Sequence, residues 1–282
     1  MNFINPKTDY AFKKIFGSEG SKDILISFLN ALVYSGESVI ADLEIINPYL
    51  GAKIEGLKDT YLDVQAQLND GSLIIIEMQV LNVESFTKRV LYNAAKTYSL
   101  QLDSGQGYRD LKPVIALTIT DFKLFTELEQ IISRFCFKET CLNIDYPDNQ
   151  IELIFVELPK FSQQQEELET ITDKWIYFLK SANALNSVPA NLEEVPEINK
   201  AFAIADRANL NREELEDLEK RELFIYDQRG AIRLAKQEGL EEGSNQKAKE
   251  IARELLDILD DNQIAQTTGL SLAEIRELRG VV

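Results

Sequence analysis

Two carboxylates, Asp63 and Glu77, stand on either side of a short turn, Asn69-Asp70-Gly71. The segments that flank the turn have the composition of β-strands, and a short connection containing glycine is typical of a β-hairpin. If a three-residue loop places its glycine in the left-handed conformation, counting outward from the turn sets Asp63 opposite Glu77. Like charges at such a cross-strand position are destabilising. A divalent metal ion between them is the expected reason for the pair.

A second register would pair the same strands differently. A two-residue loop, Asp70-Gly71, sets Asp63 opposite Met78 and turns Glu77 to the other face of the hairpin. The three-residue register instead leaves one face fully apolar, as a core face should be, so the polarity of the strands favours it. In that register the apolar face consists of Leu62, Val64, Ala66, Ile74, Ile76 and Met78. The opposite face carries Asp63, Gln65, Gln67, Glu77 and Gln79, with Leu73 and Ile75.

The chain contains no histidine. This absence excludes histidine-dependent catalytic triads, histidine metal ligands and the commonest general base. Hydrolytic chemistry would therefore have to use carboxylates, lysines, amides and a hard cation. The two cysteines, Cys136 and Cys141, cannot form a four-thiolate zinc site, and we expect them to be reduced thiols.

Length and composition bound the organisation of the chain. Its 282 residues, of which 45% are hydrophobic, suit one large domain or two ordinary ones. No apolar run approaches the ~20 residues of a membrane span, and the N-terminal residues lack a signal-peptide pattern. We therefore expect a cytoplasmic protein without a membrane partner.

The net charge of −17 is unlike that of a typical nucleic-acid binder, which has a basic surface. The acidic excess is uneven, however, and lies in later stretches such as residues 165–169 and 212–219. A solvated helix face is the default explanation of such runs. Residues 1–120 are nearly balanced by comparison and contain several cations close to the candidate site in sequence. These cations are Lys7, Lys13, Lys14, Lys88, Arg89 and Lys96.

Periodicity and turn residues predict an α/β domain followed by helices. A predicted helix at residues 84–103 would cross over between parallel strands of a mixed sheet. Predicted helices cover residues 7–17, 22–34, 84–103, 166–184, 196–208 and 212 onward; predicted strands cover residues 39–47, 60–68, 72–80, 112–120, 131–137 and 151–158. The predicted divisions are a sheet domain at residues 1–160, a helical extension at residues 161–235 and a charged helical tail at residues 236–282.

The end of the chain contains a second pattern. The stretch 226–260 is interrupted by glycines, and we interpret it as flexible, although the spacing of Gly239 and Gly243 would also allow a close helix contact. Residues 261–278 resemble a helix-turn-helix in which Ser271 caps the second helix. That helix offers few basic residues for reaching bases. A hairpin for packing or oligomerisation is therefore an equal alternative to a DNA reader.

Several motifs resemble those of a known superfamily of nucleases. Asp63, the short turn and a Glu-x-Gln at residues 77–79 after an apolar run are similar to the active-site arrangement of the PD-(D/E)XK nucleases. Further segments of residues 1–160, and more loosely the helical tail, resemble a narrower group, the recombination-promoting nuclease and transposase family. Those segments are Asp9-Tyr-x-Phe-Lys-Lys-Ile-Phe-Gly17, Ile76-Glu-Met-Gln79, Phe86-Thr-Lys-Arg89 with Tyr92 and Tyr98, and Gly107-Tyr108 before Pro113-Val114.

The resemblance implies a restriction-endonuclease-like mixed β-sheet flanked by helices and followed by a helical C-terminal region. It also implies a metal-dependent DNA endonuclease linked to recombination or mobile elements. Asp63 and Glu77 would then bind the metal together with the backbone carbonyl of Met78. Hard cations such as Mg²⁺ suit these oxygen ligands, and Mn²⁺ is the alternative ion. The metal would activate water and stabilise charge that develops on the phosphate of the DNA.

The sequence departs from the superfamily pattern at two positions. Leu62 stands where proline is usual, and Gln79 stands where lysine is usual. A neutral amide can orient water but cannot supply positive charge to the transition state. Lys13 of the first helix is a candidate source of that charge, and we count Asp9, Lys13 and Gln79 with the two carboxylates as candidate catalytic residues.

Simpler interpretations of some residues stay open. Asp9 or Thr8 could cap the first helix. Arg89 and Lys88 are candidate DNA-binding residues, but they could also be ordinary exposed charges. The alternative function is a catalytically weak or inactive protein of nuclease fold that acts as a nucleic-acid-binding or oligomeric assembly module. A homodimer through the C-terminal helices is one candidate assembly.

Overall fold

The computed structural model describes residues 3–50, 60–103 and 105–280. The chain separates into two compact units, Met1–Leu223 and Phe224–Val282. The helices are α1 (Asp9–Phe16), α2 (Lys22–Val33), α3 (Phe86–Ser99), α4 (Ile171–Ser181), α5 (Ala190–Glu193), α6 (Pro196–Ala205), α7 (Arg212–Leu255), α8 (Asp261–Thr268) and α9 (Leu272–Arg279). The strands are β1 (Leu43–Ile46), β2 (Tyr49–Leu50), β3 (Thr60–Tyr61), β4 (Val64–Leu68), β5 (Leu73–Gln79), β6 (Val114–Thr120), β7 (Ile132–Phe135) and β8 (Ile151–Glu157).

Within the described residues, six strands form a mixed sheet in the order β1-β4-β5-β6-β8-β7. The strands β1, β4 and β5 are antiparallel neighbours, β5, β6 and β8 are parallel, and β7 pairs antiparallel with β8. The parallel step from β5 to β6 requires a crossover connection, and α3 lies in it. The predicted mixed sheet flanked by helices is confirmed.

The β4–β5 hairpin has the three-residue register. The N–H of Leu68 donates to the carbonyl of Ser72 at 2.9 Å, and Val64 lies opposite Ile76. Gly71 has a φ of +88°, a conformation that glycine adopts without the steric penalty of a side chain. The last regular pair is Val64 with Ile76, and Asp63 and Glu77 are the next residues outward on their strands.

One residue of the predicted apolar face does not lie on it. Regular pairing of β4 ends at Val64, and the backbone bends at Asp63. The alternation of side chains along the strand therefore stops before Leu62. Leu62 belongs to the buried cluster that contains Ile75, whereas Val64 belongs to the cluster on the other face. The prediction for Leu62 was wrong because it assumed an unbroken strand.

Helices cover both faces of the sheet. On one face, α1, α2, α4 and α6 contribute to a buried cluster whose largest side chains include Phe12, Phe16, Phe28, Trp175, Phe178 and Phe202. On the other face, α3 packs through Phe86, Val90 and Ala94 against strand residues such as Ile75 and Ala116. Burial on both faces explains why β5 and β6 are apolar at nearly every position.

The first strand is shorter than predicted. The side-chain oxygen of Asn30 accepts hydrogen bonds from the N–H groups of Val39 and Ile40 at 3.2 and 2.8 Å. These backbone groups are therefore engaged by a side chain of α2 instead of a strand partner. Regular pairing of β1 begins at Leu43, which lies opposite Leu68, the last residue of β4.

The glycines in residues 226–260 lie inside a helix. Helix α7 runs without a break through Gly230, Gly239 and Gly243. Each glycine costs a helix about 1 kcal/mol relative to alanine. Side-chain pairs such as Gln237 with Glu241, at 3.0 Å, offset part of this cost. Residues 231–247 of α7 are exposed, whereas Leu218 and Ala252, nearer its two ends, are buried.

The second unit has a small core of its own. Ala252, Ile264, Leu270 and Ile275 are buried together where the end of α7 meets α8 and α9. The predicted capping box at Ser271 is present and begins α9. In the part of the chain that is described, no helix is long and apolar enough to cross a membrane.

Phe16→Ala is expected to lower the free energy of unfolding by about 3–5 kcal/mol. Phe16 is fully buried. Its ring centroid lies 4.4 Å from the ring centroid of Phe28 and 5.8 Å from that of Trp175. Phe137→Ala removes the same side chain from an exposed position, and we expect a change within about 0.5 kcal/mol. Denaturant unfolding measures both variants, and equal losses would contradict the assigned core.

Candidate active site

The hairpin places its two carboxylates at the end of β5. The Asp63 carboxylate accepts a hydrogen bond from the N–H of Met78 at 2.8 Å, and Glu77 precedes Met78 on the same strand. The N–H and C=O of one strand residue point toward the same neighbouring strand. The Met78 carbonyl therefore faces the side of β5 on which Asp63 lies. The Asp63 carboxylate and the Met78 backbone therefore lie together, and Glu77 is the neighbour of Met78 on β5.

Helix α1 carries Asp9 and Lys13 to the same place. The side chain of Thr8 caps this helix by accepting a hydrogen bond from the N–H of Ala11 at 3.3 Å. Asp9 is therefore not the cap. The Lys13 ammonium lies 2.6 Å from the Asp9 carboxylate and 3.5 Å from the Asp63 carboxylate. The first turns of α1 thus set a cation between two anions.

Helix α7 adds a residue that sequence reasoning missed. The Arg221 guanidinium donates a hydrogen bond to the Asp9 carboxylate. The start of α7 is held beside α1 by a hydrogen bond of 2.6 Å from the Tyr10 hydroxyl to the Glu214 carboxylate. No pattern in the sequence links Arg221 to Asp9, because Arg221 lies in a charged run that reads as a solvated helix face.

Helix α3 approaches the other carboxylate. The side-chain amide of Asn93 donates to the Glu77 carboxylate at 3.2 Å, and Nε of Arg89 lies 3.8 Å from the same carboxylate oxygen. Arg89 also donates to the side-chain oxygen of Gln79 at 2.7 Å. Asn93 was missed, although its four-residue spacing from Arg89 on a predicted helix places it on the same face.

Lys88 lies apart from these contacts. It is exposed, and no ion pair of the described residues includes it. Adjacent residues of a helix point in directions about 100° apart, so Lys88 does not share the face that Arg89 turns toward Glu77. Of the two candidate DNA-binding residues, the structure brings only Arg89 to the carboxylates.

Burial raises the pKa of both carboxylates, Asp63 and Glu77. Burial raises the pKa of Asp63 to about 7, an effect that the Met78 N–H and Lys13 oppose and the charge of Asp9 reinforces. Burial also raises the pKa of Glu77, against the opposing effects of Arg89 and Asn93. The cations around the pair are therefore insufficient to offset its removal from water.

The Asp9–Lys13 pair has the opposite balance. Burial by itself would lower the pKa of Lys13, but the hydrogen bond that Lys13 donates to Asp9 and the charge of Asp63 outweigh it and raise that pKa. Burial would raise the pKa of Asp9, but Lys13 outweighs it, with help from Arg221, and lowers that pKa. Lys13 is therefore positively charged and Asp9 negatively charged at neutral pH.

The donor set fits a hard divalent cation. Asp63, Glu77 and the Met78 carbonyl offer only oxygen, which Mg²⁺ prefers, and the raised pKa of Asp63 reflects an anion that lacks sufficient positive charge nearby. The described residues contain no cluster of three or more ligating carboxylate, thiol or imidazole side chains. Water and substrate oxygens would complete the coordination of an ion held by two carboxylates and a carbonyl.

A family model described as PD-(D/E)XK nuclease family transposase matches residues 6–235. The chain belongs to this family. The match begins just before α1, includes the β4–β5 hairpin and the crossover helix α3, and ends within α7. No curated protein and no solved structure matches the chain. In this member of the family, the roles of the individual site residues stay predictions.

The terminal hairpin, α8 and α9, lies beyond the matched residues. Arg279 donates to Asp261 at 3.0 Å and to the carbonyl of Leu259 at 3.1 Å, and Arg276 lies 3.9 Å from Asp261. The basic side chains of α9 are thus engaged within their own unit. This arrangement favours a packing role for the hairpin over base reading.

Asp63→Asn is expected to stabilise the protein above neutral pH. The pKa of Asp63 is higher in the folded protein, at about 7, than the ordinary value of 3.8. The charged form of Asp63 therefore destabilises the fold, and this penalty is fully present above pH 7. The penalty disappears as the pH falls toward the ordinary pKa of 3.8. Removing the charge should add about 1–3 kcal/mol at pH 8 and almost nothing at pH 4.

Thermal unfolding without divalent metal, from pH 4 to pH 8, measures this difference. Asp110→Asn, at an exposed position, is the matched control and should not show the pH-dependent gain. A stabilisation of Asp63→Asn that is equal at both ends of the range would contradict the assigned penalty.

Proposed function

We propose that this family member is a metal-dependent DNA endonuclease associated with recombination or mobile elements. The observation that carries the proposal is the pair of buried carboxylates, Asp63 and Glu77, beside the Met78 carbonyl at the end of β5. A carboxylate pair in this position weakens the fold unless a cation neutralises it. Phosphodiester hydrolysis uses such a cation.

Asp63, Glu77 and the Met78 carbonyl would hold Mg²⁺, with Mn²⁺ as the alternative ion. When bound, the metal ion supplies a Lewis acid that lowers the pKa of water and stabilises negative charge on the phosphate. The protein contributes the positions of these ligands. Asn93 orients Glu77, and the Met78 N–H orients Asp63.

Lys13 would provide positive charge that the strand lacks at Gln79. Its ammonium lies 3.5 Å from the Asp63 carboxylate, so it would face a phosphate held at the carboxylates. Asp9 would position Lys13, and Arg221 would hold Asp9 in turn. Preorganised charge of this kind stabilises a developing anion without reorganisation during the reaction.

Arg89 and Lys88 would bind the DNA backbone at the start of α3. A protein with a net charge of −17 repels DNA over most of its surface, and binding must rely on a local group of cations. Phosphate contacts of this kind carry no sequence information. A cytoplasmic location and a homodimer through the C-terminal helices remain parts of the proposal that rest on the sequence.

Asp63→Ala and Glu77→Ala are each expected to slow plasmid nicking by about 100-fold or more, because each removes a metal ligand and several kcal/mol of transition-state stabilisation. The assay compares supercoiled plasmid with Mg²⁺, with Mn²⁺ and with chelator. Lys112→Gln is the control, because Lys112 is exposed and lies against Gly71, at the opposite end of β5. Nicking by Asp63→Ala at the rate of the unaltered protein would end the assignment.

Metal binding can be measured without catalysis. Mg²⁺ or Mn²⁺ should raise the melting temperature of the unaltered protein, since a ligand that binds only the folded state stabilises it. The same ions should leave the melting temperature of Asp63→Ala unchanged. An equal shift in both proteins would place the metal elsewhere.

Residue 79 is glutamine where lysine is usual in the superfamily. This difference favours a second candidate function, a nuclease-fold protein that binds nucleic acid or assembles without turnover. This candidate predicts DNA binding or a defined oligomer with no nicking in either metal. Nicking that requires Asp63 excludes it.

The terminal hairpin is expected to make no contribution to DNA affinity. Arg276→Gln should change the Kd for duplex DNA by less than about twofold, whereas a lost phosphate contact would also reduce the salt dependence. Fluorescence anisotropy of labelled DNA measures both quantities. A tenfold weaker affinity of Arg276→Gln for duplex DNA would show that the hairpin contributes to DNA binding.

A further inference from the structure

The amide of Gln79 is held at both of its ends. Its oxygen accepts a hydrogen bond from Arg89 at 2.7 Å, and its nitrogen donates to the carbonyl of Leu81 at 2.7 Å. Because a guanidinium can only donate hydrogen bonds, the Gln79 atom that faces Arg89 must be the oxygen. The orientation of the amide is therefore fixed by its two partners. A side chain fixed in this way is suited to holding Arg89 in place.

The guanidinium of Arg89 is directed toward the carboxylates. Its central carbon lies 5.1 Å from the centre of the Phe86 ring, and its Nε lies 3.8 Å from the Glu77 carboxylate. Arg89 thus lies between the first residue of α3 and the last residues of β5. Its side chain is 40% exposed, so a ligand that arrives from solvent can reach part of that side chain.

One donor of this guanidinium has no acceptor. Nε of Arg89 is buried, and no group of the described residues accepts a hydrogen bond from it. The distance of 3.8 Å to Glu77 is too long for a hydrogen bond, and Glu77 is hydrogen-bonded by Asn93 instead. Buried donors are normally paired, and an unpaired one calls for a partner that is missing. Because Nε is buried against Glu77, a phosphate oxygen placed at the carboxylates would be met by the Nη groups, one of which already donates to Gln79.

We propose that Arg89 contacts the phosphate that is cleaved, and that Gln79 is a positioning residue that holds Arg89 there. The inference rests on the proposed nuclease function and assigns within it the source of the second positive charge. Residue 79 carries no positive charge in this chain. Arg89 of α3 then supplies that charge, and Gln79 holds Arg89 in position. Lys13 stands on the Asp63 side of the carboxylate pair and Arg89 on the Glu77 side. A planar guanidinium can contact two oxygens of one phosphate, which an ammonium cannot do in the same geometry.

Four variants at two positions test the proposal. Arg89→Gln removes the charge, Arg89→Lys keeps the charge without the fork of donors, and Gln79→Leu keeps Arg89 but removes its acceptor. The double variant Arg89→Gln with Gln79→Lys returns a cation to the strand. Lys112→Gln, at the opposite end of β5, controls for the loss of one positive charge.

Plasmid nicking with Mg²⁺ gives kcat and KM for each variant. Arg89→Gln should lower kcat by about 100-fold or more, as removal of a transition-state donor does, while Arg89→Lys should retain a part of the activity. Gln79→Leu should lower kcat by roughly tenfold with KM unchanged, because the interaction that it weakens matters mainly in the transition state. The double variant should be at least about tenfold faster than Arg89→Gln alone.

DNA binding without divalent metal gives a readout that does not depend on turnover. The slope of log Kd against log salt should decrease by about one phosphate contact in Arg89→Gln and stay unchanged in Gln79→Leu. Melting temperatures establish that all variants are folded. A structural role for Gln79 alone would change the melting temperature and leave kcat unaltered.

The possible failures are distinguishable. If the unaltered protein nicks DNA and Arg89→Gln changes KM and the salt slope but not kcat, Arg89 binds a flanking phosphate and the inference is overturned. If Gln79→Leu has the kcat of the unaltered protein, Gln79 does not position Arg89. If the unaltered protein does not nick DNA with either metal, the proposed function fails first and the inference fails with it.

Discussion

The hydrogen bond from the Met78 N–H to the Asp63 carboxylate is the interaction on which the site depends. Pairing of β4 ends at Val64 while β5 continues to Gln79, so the Met78 N–H meets a bend instead of a strand. A buried N–H without an acceptor is strongly unfavourable, and the Asp63 carboxylate satisfies it at 2.8 Å. The backbone thereby holds an anion next to Glu77 even though burial opposes the charge. The carboxylate pair is a consequence of where β4 stops.

The strands provide the anions of the site, whereas the helices provide the cations. Lys13 comes from α1, Arg89 from α3 and Arg221 from α7. Helices α1 and α3 pack on opposite faces of the sheet through separate apolar clusters. The charges at the carboxylates therefore depend on packing of both cores, and a change that shifts either helix alters the electrostatics of the site without touching a ligand. Gln79, on the strand, supplies only an acceptor for the arginine of α3.

Local patterns were sufficient to predict the parts of the structure that local physics determines. The hairpin register followed from polarity, and the mixed sheet and the first helices followed from periodicity and capping residues. Leu62 was predicted on the wrong face because a bend at Asp63 interrupts the alternation of side chains along the strand. The composition of the segment does not predict that bend. Arg221 could not be predicted, because its contact with Asp9 joins residues 212 positions apart and exists only once α7 packs along α1. The orientation of the Gln79 amide likewise depends on the position of α3, which no motif in β5 specifies.

The burial of Asp63 also has a consequence for how such sequences diverge. Under the proposed function, selection for cutting would keep a carboxylate at a position where burial penalises its charge near neutral pH. A lineage in which cutting is no longer selected can replace Asp63 with a neutral residue and gain stability in the same step, so the loss of chemistry is not opposed by folding. Return to activity would require reintroducing the buried charge against that gain. Under the proposed function, loss of the carboxylate is therefore easier than its return.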